Sequence, residues 1–332
     1  MSRTTLKDVG DYVGVSAKTV SNVVNGTGWV REDLKVRVRS AIKELGYRPN
    51  AAARHLRSGR SGMIAVALPD LAQPYFAELA SALVRAAEAR SITVLIHQTN
   101  GQAEAERRIS DGIGVPLTDG LILSALSVTA EDLAMRLDTT PLVLLGEHIG
   151  ASPFPHVTVD NAAAAHAATT HLISTGRRRI AAIGAQEGAA TETADLRLEG
   201  YRAALDDAGI PFDEALVCVV EQFVRRDGAA AAESLLAGGV DFDAVFAFND
   251  LLALGAMHTF ATRGVVVPDD VAIIGFDDIE EARYSSPALS TVAPDTEAIA
   301  TVALDLLLQD DGDDDGDTEK TIPFEIVRRA ST

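Results

Sequence analysis

The sequence has few cysteines, few aromatic residues and no long apolar run. Cys218 is the single cysteine among 332 residues, which excludes an internal disulfide framework and fits a reducing compartment. No stretch approaches the ~20 apolar residues of a membrane span, and the polar amino terminus lacks the apolar segment of a secretory signal. We therefore expect a soluble cytoplasmic protein that does not contact membranes.

Sequence motifs of common enzymes are also missing. There is no G-x-S-x-G, P-loop, G-x-G-x-x-G or H-E-x-x-H motif, and the seven histidines are dispersed. Residues 309–319 are rich in Asp, but their spacing and the lack of a closing Glu favour a solvated acidic loop over a calcium site. The sequence therefore predicts neither an enzyme nor a bound metal or cofactor.

Charge is divided unevenly along the chain. The formal net charge is −19, yet residues 1–62 contain 12 Lys and Arg against 5 Asp and Glu, whereas the remainder contains 17 against 43. A basic segment binds phosphates by releasing counterions, and an acidic remainder discourages indiscriminate binding. This division indicates that the amino-terminal part binds nucleic acid.

Residues 5–25 contain two short helical patterns. Their apolar residues recur at helical spacing, at Leu6, Val9, Val13, Val20, Val23 and Val24. Between the patterns, Gly14 suits a tight turn and Ser16 can cap the second helix by accepting a backbone N–H. The pattern predicts a helix-turn-helix whose second helix enters a DNA major groove, with an ordinary αα-hairpin as the alternative.

A third helix and a linker follow this pattern. Apolar residues keep helical spacing from Leu34 to Leu45 and stop at Gly46, a residue typical of helix ends. Pro49 and the flexible sequence 59–62 flank a helical stretch at 51–58, which is shorter than the ~12–15 residues that an isolated helix needs. We assign residues 1–46 to a head, 47–62 to a linker with a hinge helix, and 63–332 to a body.

The head and linker resemble the lactose-repressor (LacI/GalR) family of bacterial transcription regulators. The resemblance rests on Thr5-Leu6-Lys7-Asp8-Val9, Gly14-Val15-Ser16, Thr19-Val20-Ser21, Val24-Asn25 and Pro49-Asn50 with Ala53-Arg54 and Leu56. It implies that two hinge helices fold together on DNA and that Leu56 wedges into the minor groove, although Leu56 could instead pack under the core. The DNA-binding residues predicted in this way are Thr5, Leu6, Ser16, Ala17, Lys18, Thr19, Ser21, Asn22, Asn25, Asn50, Arg54 and Leu56.

This chain departs from the common family pattern where bases are read. Asn22 stands where Arg is frequent, and Ala17-Lys18 precede it. Lys can contact guanine, Asn can pair bidentately with adenine, and Ala can meet a thymine methyl group. We therefore expect an operator half-site unlike common family operators. Trp29 either packs against the head or meets the DNA backbone.

From residue 63 onward, short apolar runs alternate with helical stretches. The runs are predicted strands at 64–68, 93–97, 121–123, 142–145, 180–184, 216–220, 244–248 and 271–276, and 322–327 is a predicted final strand. This alternation predicts a parallel α/β fold. The resemblance implies a periplasmic-binding-protein-like body of two doubly wound lobes, with a TIM barrel as the alternative. The predicted N-lobe covers about 63–161 plus 291–321, and the C-lobe about 162–290 plus 322–332.

Polar residues follow several predicted strands, where open α/β sheets bind ligands. Any one of them is more often a turn or cap residue. The resemblance implies that Arg197, Asn249 and Asp277 hydrogen-bond an effector and that Phe76 and Phe223 line it, although core packing explains either ring equally well. The complete predicted effector-binding set is Asp70, Phe76, Gln98, Ser124, Glu147, Arg197, Phe223, Asn249 and Asp277.

These side chains suit a polyhydroxylated ligand, since carboxylates and amides accept hydroxyl protons and an aromatic ring meets the apolar side of a sugar. We therefore predict a repressor that binds a palindromic operator as a homodimer and is released by a sugar or sugar derivative. A nucleobase-type co-repressor or a protein partner is the alternative gate. A solute-binding protein or enzyme on the same body is disfavoured by the missing signal peptide and enzyme motifs.

Overall fold

The computed structural model describes residues 4–47, 61–114, 117–147, 152–188, 191–309 and 319–332. The chain divides into two units at residues 61 and 62, close to the predicted boundary between linker and body. Most of the predicted hinge helix and the Asp-rich stretch 310–318 lie outside the described residues. In the described ranges, no helix combines the length and apolar character that a bilayer span requires.

The head contains three helices, α1 Leu6–Val13, α2 Ala17–Asn25 and α3 Glu32–Glu44. A capping box begins α1, in which the Thr5 hydroxyl accepts the N–H of Asp8 and the Asp8 carboxylate accepts the N–H of Thr5. The helices enclose a small apolar core of Val9, Val13, Val20, Val23, Val30, Val38 and Ala41. The predicted helix-turn-helix and third helix are confirmed.

The turn between α1 and α2 follows the sequence prediction. Gly14 has a φ of 76°, a left-handed conformation that glycine adopts without a steric penalty. The Ser16 hydroxyl accepts the N–H of Thr19 at 3.1 Å and caps α2. Gly10 allows the turn to approach α1, since a Cβ there would lie 2.6 Å from the Val15 carbonyl oxygen.

The body contains two six-stranded sheets, one in each lobe, with the orders β11-β5-β4-β3-β1-β2 and β12-β10-β9-β8-β6-β7. The strands are β1 Met63–Leu68, β2 Thr93–Gln98, β3 Leu121–Ser124, β4 Leu142–Leu145, β5 His156–Val159, β6 Ile180–Ala185, β7 Val217–Val219, β8 Ala244–Ala247, β9 Ala272–Phe276, β10 Ser290–Pro294, β11 Glu319–Ile322 and β12 Phe324–Val327. In the described chain, all strand pairs are parallel except β10 with β12.

Helices cover both faces of the sheets. They are α4 Pro74–Glu88, α5 Ala103–Ser110, α6 Ala130–Ala134, α7 Asn161–Ser174, α8 Glu192–Asp207, α9 Arg225–Ala237, α10 Asp250–Arg263, α11 Glu280–Tyr284 and α12 Thr296–Leu308, with a 3₁₀ turn at Glu214–Leu216. Strand β1 shows the two core layers, because Ile64, Val66 and Leu68 join one apolar cluster and Ala65 and Ala67 the other. Two doubly wound lobes are confirmed, and the TIM barrel is excluded.

Three details differ from the sequence predictions. Strands β5 and β10 were not predicted. The single final strand at 322–327 is wrong, because β11 pairs with β5 in the first sheet and β12 pairs with β10 in the second. Pro323 lies between them, and proline has no N–H to continue a strand ladder. Since β10 belongs to the second sheet, the chain returns to the first lobe at α12, a few residues later than the predicted 291.

Glycine allows two helices of the second lobe to pack closely. A Cβ at Gly200 on α8 would lie 2.1 Å from the carbonyl oxygen of Ala162 on α7. We predict that Gly200→Ala destabilises the protein by about 1–3 kcal/mol in urea unfolding, because the helices must separate. Glu199→Ala, an exposed position on the same helix, is the control and should change stability by less than about 0.5 kcal/mol. Because alanine favours a helix over glycine, a Gly200→Ala protein as stable as the control would refute the close packing.

Candidate functional site

The predicted base-reading residues share one helix of the head. Ala17 and Lys18 are exposed at the start of α2, and Ser21 and Asn22 are half-buried one turn later. The Asn25 side-chain amide donates to the Ser21 hydroxyl at 3.1 Å. These contacts hold the polar side chains of α2 in place on the surface that the valine core leaves exposed.

The remaining predicted DNA contacts surround this helix in the head. Thr19 Oγ1 lies 2.9 Å from Ser16 Oγ, and Thr5 is exposed at the start of α1. Leu6 is half-buried against the head core. Trp29 is 86% exposed, so it does not pack into the head core. The other predicted contacts, Asn50, Arg54 and Leu56, lie outside the described residues.

A cavity of about 640 Å³ lies between the two lobes of the body. It is bounded by residues that follow strands of both sheets. Eight of the nine predicted effector-binding residues line it, namely Asp70, Phe76, Ser124, Glu147, Arg197, Phe223, Asn249 and Asp277. We call this cavity the cleft. A groove of about 680 Å³ at the edge of the second sheet, along β7 and α9, contains none of the predicted residues.

Gln98 is the exception, because it lies outside the cleft lining. Its side-chain oxygen accepts the N–H of Leu71 at 3.2 Å, and its side-chain nitrogen donates to the Asn100 side-chain oxygen at 2.6 Å. Asn100 itself lines the cleft. Gln98 therefore supports the loops at the cleft edge.

Arg197 is buried in the wall of the cleft on α8. Its Nε donates to Asn161 Oδ1 at 2.7 Å, and its Nη1 donates to the carbonyl oxygen of Phe248. The guanidinium carbon lies 3.5 Å from the ring centroid of Phe276. Burial lowers the pKa of Arg197, while the nearby carboxylate of Asp277 opposes that shift. The result is a charged donor in a fixed orientation.

Asp277 follows β9 and has an unusual backbone. Its φ is 115°, and that of Asp278 is 52°, values that non-glycine residues rarely adopt and that occur mostly at functional sites. Burial raises the pKa of Asp277 to about 7, although Arg197 pulls it in the opposite direction. The cleft therefore contains a carboxyl group that changes charge near neutral pH.

Two other predicted residues make protein contacts within the cleft. Glu147 of the first lobe accepts the hydroxyl of Thr193 of the second lobe at 3.1 Å. Asn249 caps α10, since its side-chain oxygen accepts the N–H of Leu252 at 2.9 Å. Its side-chain nitrogen donates to the Phe223 carbonyl oxygen at 3.3 Å. Asn249 thus combines a capping role with a position in the cleft wall.

Sequence reasoning missed several residues of the cleft lining. Tyr75 packs edge-on against Phe76 with ring centroids 5.3 Å apart, and its place beside Phe76 in the sequence was an available signal. Asn161 follows β5, a strand that was not predicted. Thr193 lies on α8 one turn before Arg197, where helical spacing could have indicated it.

Comparisons with known proteins give consistent matches. A model described as "Bacterial regulatory proteins, lacI family" matches residues 5–50, and one described as "Periplasmic binding protein-like domain" matches residues 169–332. The HTH-type transcriptional regulator DegA of Bacillus subtilis is 33% identical over 88% of this chain and 86% of its own. The ribose operon repressor of Halalkalibacterium halodurans is 32% identical over 99% of this chain and 97% of its own. A solved CelR-cellobiose complex is 30% identical, covers 99% of this chain and 100% of its own, and has a TM-score of 0.69.

The raised pKa of Asp277 predicts a pH-dependent stability. The folded state binds this proton more tightly than the unfolded chain, whose Asp has the ordinary pKa of 3.8. Stability from the protonated carboxyl is therefore present at low pH and is lost as pH rises from about 4 to about 7. We predict that urea unfolding of the wild type loses stability over this window relative to Asp277→Asn, which has no proton to lose. Parallel profiles for the two proteins would contradict the assignment.

Proposed function

The chain belongs to the lacI family of bacterial regulatory proteins, and on this premise we propose that a small sugar or sugar derivative controls its repressor activity. In this proposal, a homodimer binds a palindromic DNA operator through its two heads and represses transcription, and a ligand in the cleft releases the operator. The proposal includes no enzymatic reaction and no bound cofactor.

The observation that carries the effector proposal is the composition of the cleft. Carboxylates, amides, a buried guanidinium and four aromatic rings line one cavity of about 640 Å³, which is within the ordinary size range of small-molecule sites. Such groups accept and donate hydrogen bonds to hydroxyl groups, and the rings contact apolar C–H faces. The relatives named for ribose and cellobiose are consistent with a sugar ligand.

Coupling of the cleft to DNA requires movement of the lobes. The chain passes between the lobes at three short connections, after β5, after β10 and at Pro323. A ligand that contacts both lobes changes the angle between them, because short connections can bend while the cores stay packed. The change would reach the linker at Gly62, whose N–H donates to Asp119 of the first lobe at 2.7 Å. Typical coupling free energies are about 1–3 kcal/mol.

A nucleobase-type co-repressor is the second candidate effector. Aromatic rings beside Asp and Arg would also bind a purine, and relatives of this chain include proteins named PurR, one of them 34% identical over 92% of this chain. A co-repressor would strengthen operator binding, so the two candidates predict opposite effects of the ligand. Gating by a protein partner is the third candidate and predicts no response to small molecules.

The DNA-binding part of the proposal is tested at Lys18. We predict that Lys18→Ala weakens operator binding roughly 10- to 100-fold and reduces the preference for operator over unrelated DNA, because a base contact is lost. Lys43→Ala removes an equally exposed positive charge from α3 and serves as the control. It should weaken binding to all sequences alike, through phosphate attraction alone. Fluorescence anisotropy at fixed salt measures the affinity of each variant for operator and for unrelated DNA. If both variants lose the same share of their preference for operator, Lys18 is excluded as a base-reading residue.

The effector part is tested by operator binding in the presence of a sugar panel. We expect at least one sugar to lower operator affinity about 5- to 150-fold. The Arg197→Lys variant should retain operator binding without the sugar and lose the response, because a lysine cannot reproduce the oriented guanidinium. Tighter operator binding with a purine would support the co-repressor alternative. No response to either ligand class would support a protein partner.

A further inference from the structure

Most charged side chains that line the cleft are acidic. Asp70 and Glu147 come from the first lobe, and Glu221 and Asp277 come from the second. Arg197 is the one basic side chain among the described residues of the lining. The cleft therefore has an excess of carboxylates over cations on both of its walls.

Two of the three guanidinium nitrogens of Arg197 already donate to protein acceptors. Nε and Nη1 already donate to Asn161 and Phe248, and the face of the guanidinium lies on Phe276. Phosphate and carboxylate ligands are bound most strongly by two parallel N–H groups of one guanidinium. The third nitrogen of this guanidinium, Nη2, has no protein acceptor among the described residues. A side-on bidentate contact through Nε would break the Asn161 bond, and an end-on contact would use Nη2 together with the second N–H of Nη1, which also donates to Phe248.

Burial is the largest cause of the raised pKa values of two ionisable groups in the cleft, Tyr75 and Asp277. Burial raises the pKa of Tyr75, and the carboxylates of Asp277 and Glu147 add to that shift more than Arg197 reduces it. The pKa of Asp277 is also raised by burial and by Glu78 and Glu147, against the effect of Arg197. At Tyr75 the carboxylates therefore outweigh Arg197, whereas at Asp277 the effect of Arg197 is the largest of the charge effects.

We propose that the cleft excludes anionic ligands, so that the effector is a polyhydroxylated molecule without a phosphate, sulfate or carboxylate group. Glu147 and Asp277, one from each lobe, determine this selectivity. Glu147 accepts hydroxyl protons from a neutral ligand and repels a phosphorylated or acidic one, and Asp277 does the same in its deprotonated form. The inference rests on the proposed function, because it concerns the effector of the same cleft.

The test uses the full-length protein and matched ligand sets. Each set contains a neutral hexose or disaccharide, its 6-phosphate and the corresponding uronic acid, and the dissociation constant of each is measured by calorimetry or thermal shift. Repulsion between one carboxylate and a negative charge on a ligand about 6 Å away weakens binding roughly 100-fold. We expect binding by neutral members, with their phosphorylated and acidic counterparts weaker by at least this factor.

Variants of the carboxylates separate electrostatic selection from loss of structure. In Glu147→Gln, the ratio of neutral to anionic affinity should fall by about 10-fold or more, because the amide accepts a hydroxyl proton without repelling an anion. Glu199→Gln removes one negative charge from an exposed position of α8 and should leave that ratio unchanged. A merely structural effect of Glu147→Gln would weaken both members of a pair and keep their ratio.

The outcomes distinguish this inference from the proposed function. A sugar phosphate or uronic acid that binds as tightly as its neutral parent would overturn the inference and leave the sugar-effector proposal intact. If only purines bind, the sugar proposal fails, and a nucleoside compared with its monophosphate provides the matched pair. Inorganic phosphate is titrated in parallel as an anion probe that needs no known effector. Stabilisation by phosphate that disappears in Arg197→Gln would place an anion at Arg197 and overturn the inference, whereas equal stabilisation of both proteins supports it.

Discussion

A guanidinium group removed from water must donate its N–H groups to protein acceptors, and Arg197 does so where the two lobes meet. One acceptor is Asn161, the first residue of α7, directly after the chain leaves the first sheet. Another is the carbonyl oxygen of Phe248 at the end of β8, and the guanidinium face covers Phe276 at the end of β9. A single side chain therefore connects the lobe crossing to two strand ends of the second sheet. The packing of the cleft wall and the pKa of Asp277 both depend on this buried cation.

The lobes are joined by few direct contacts around this centre. Glu147 accepts the Thr193 hydroxyl across the cleft at 3.1 Å, and Glu78 on α4 accepts the N–H of Glu280 at the start of α11 at 3.0 Å. Burial raises the pKa of Glu78, whereas the N–H of Glu280 lowers it by favouring the charged carboxylate. A ligand that hydrogen-bonds Glu147 competes with the Thr193 hydroxyl for this carboxylate and adds its own contacts to the two lobes. The energy of lobe closure can therefore follow ligand occupancy, as a regulator with a few kcal/mol of coupling requires.

Much of the fold was predictable because its signals are local. Helix caps at Thr5 and Ser16, the glycine at 14 and the valine spacing act within one or two turns, so the head follows from neighbouring residues. The continuous apolar runs of β1, β4 and β8 identify buried parallel strands in the same way. Strands β5, β10 and β11 escaped prediction because polar residues interrupt their apolar runs, as in His156-Val-Thr-Val159, and β11 pairs with β5 more than 150 residues earlier. Pairing over such a distance is decided by the packed lobes and leaves little trace in local composition.

The candidate site was likewise predictable where its signals are local and unpredictable where they depend on distant residues. The sequence by itself determined the separation of a basic head from an acidic body, the ends of the head helices and the places where polar residues follow strands. Tertiary structure decided which of those polar residues meet: Gln98 turns to support a loop, whereas Tyr75, Asn161 and Thr193 complete the cleft. It also decided that two nitrogens of Arg197 donate to protein acceptors and that carboxylates outnumber this cation in the cavity lining. The physical reason is that a strand end specifies a sheet edge, while the direction of a side chain and its electrostatic environment depend on how two separate sheets pack against each other.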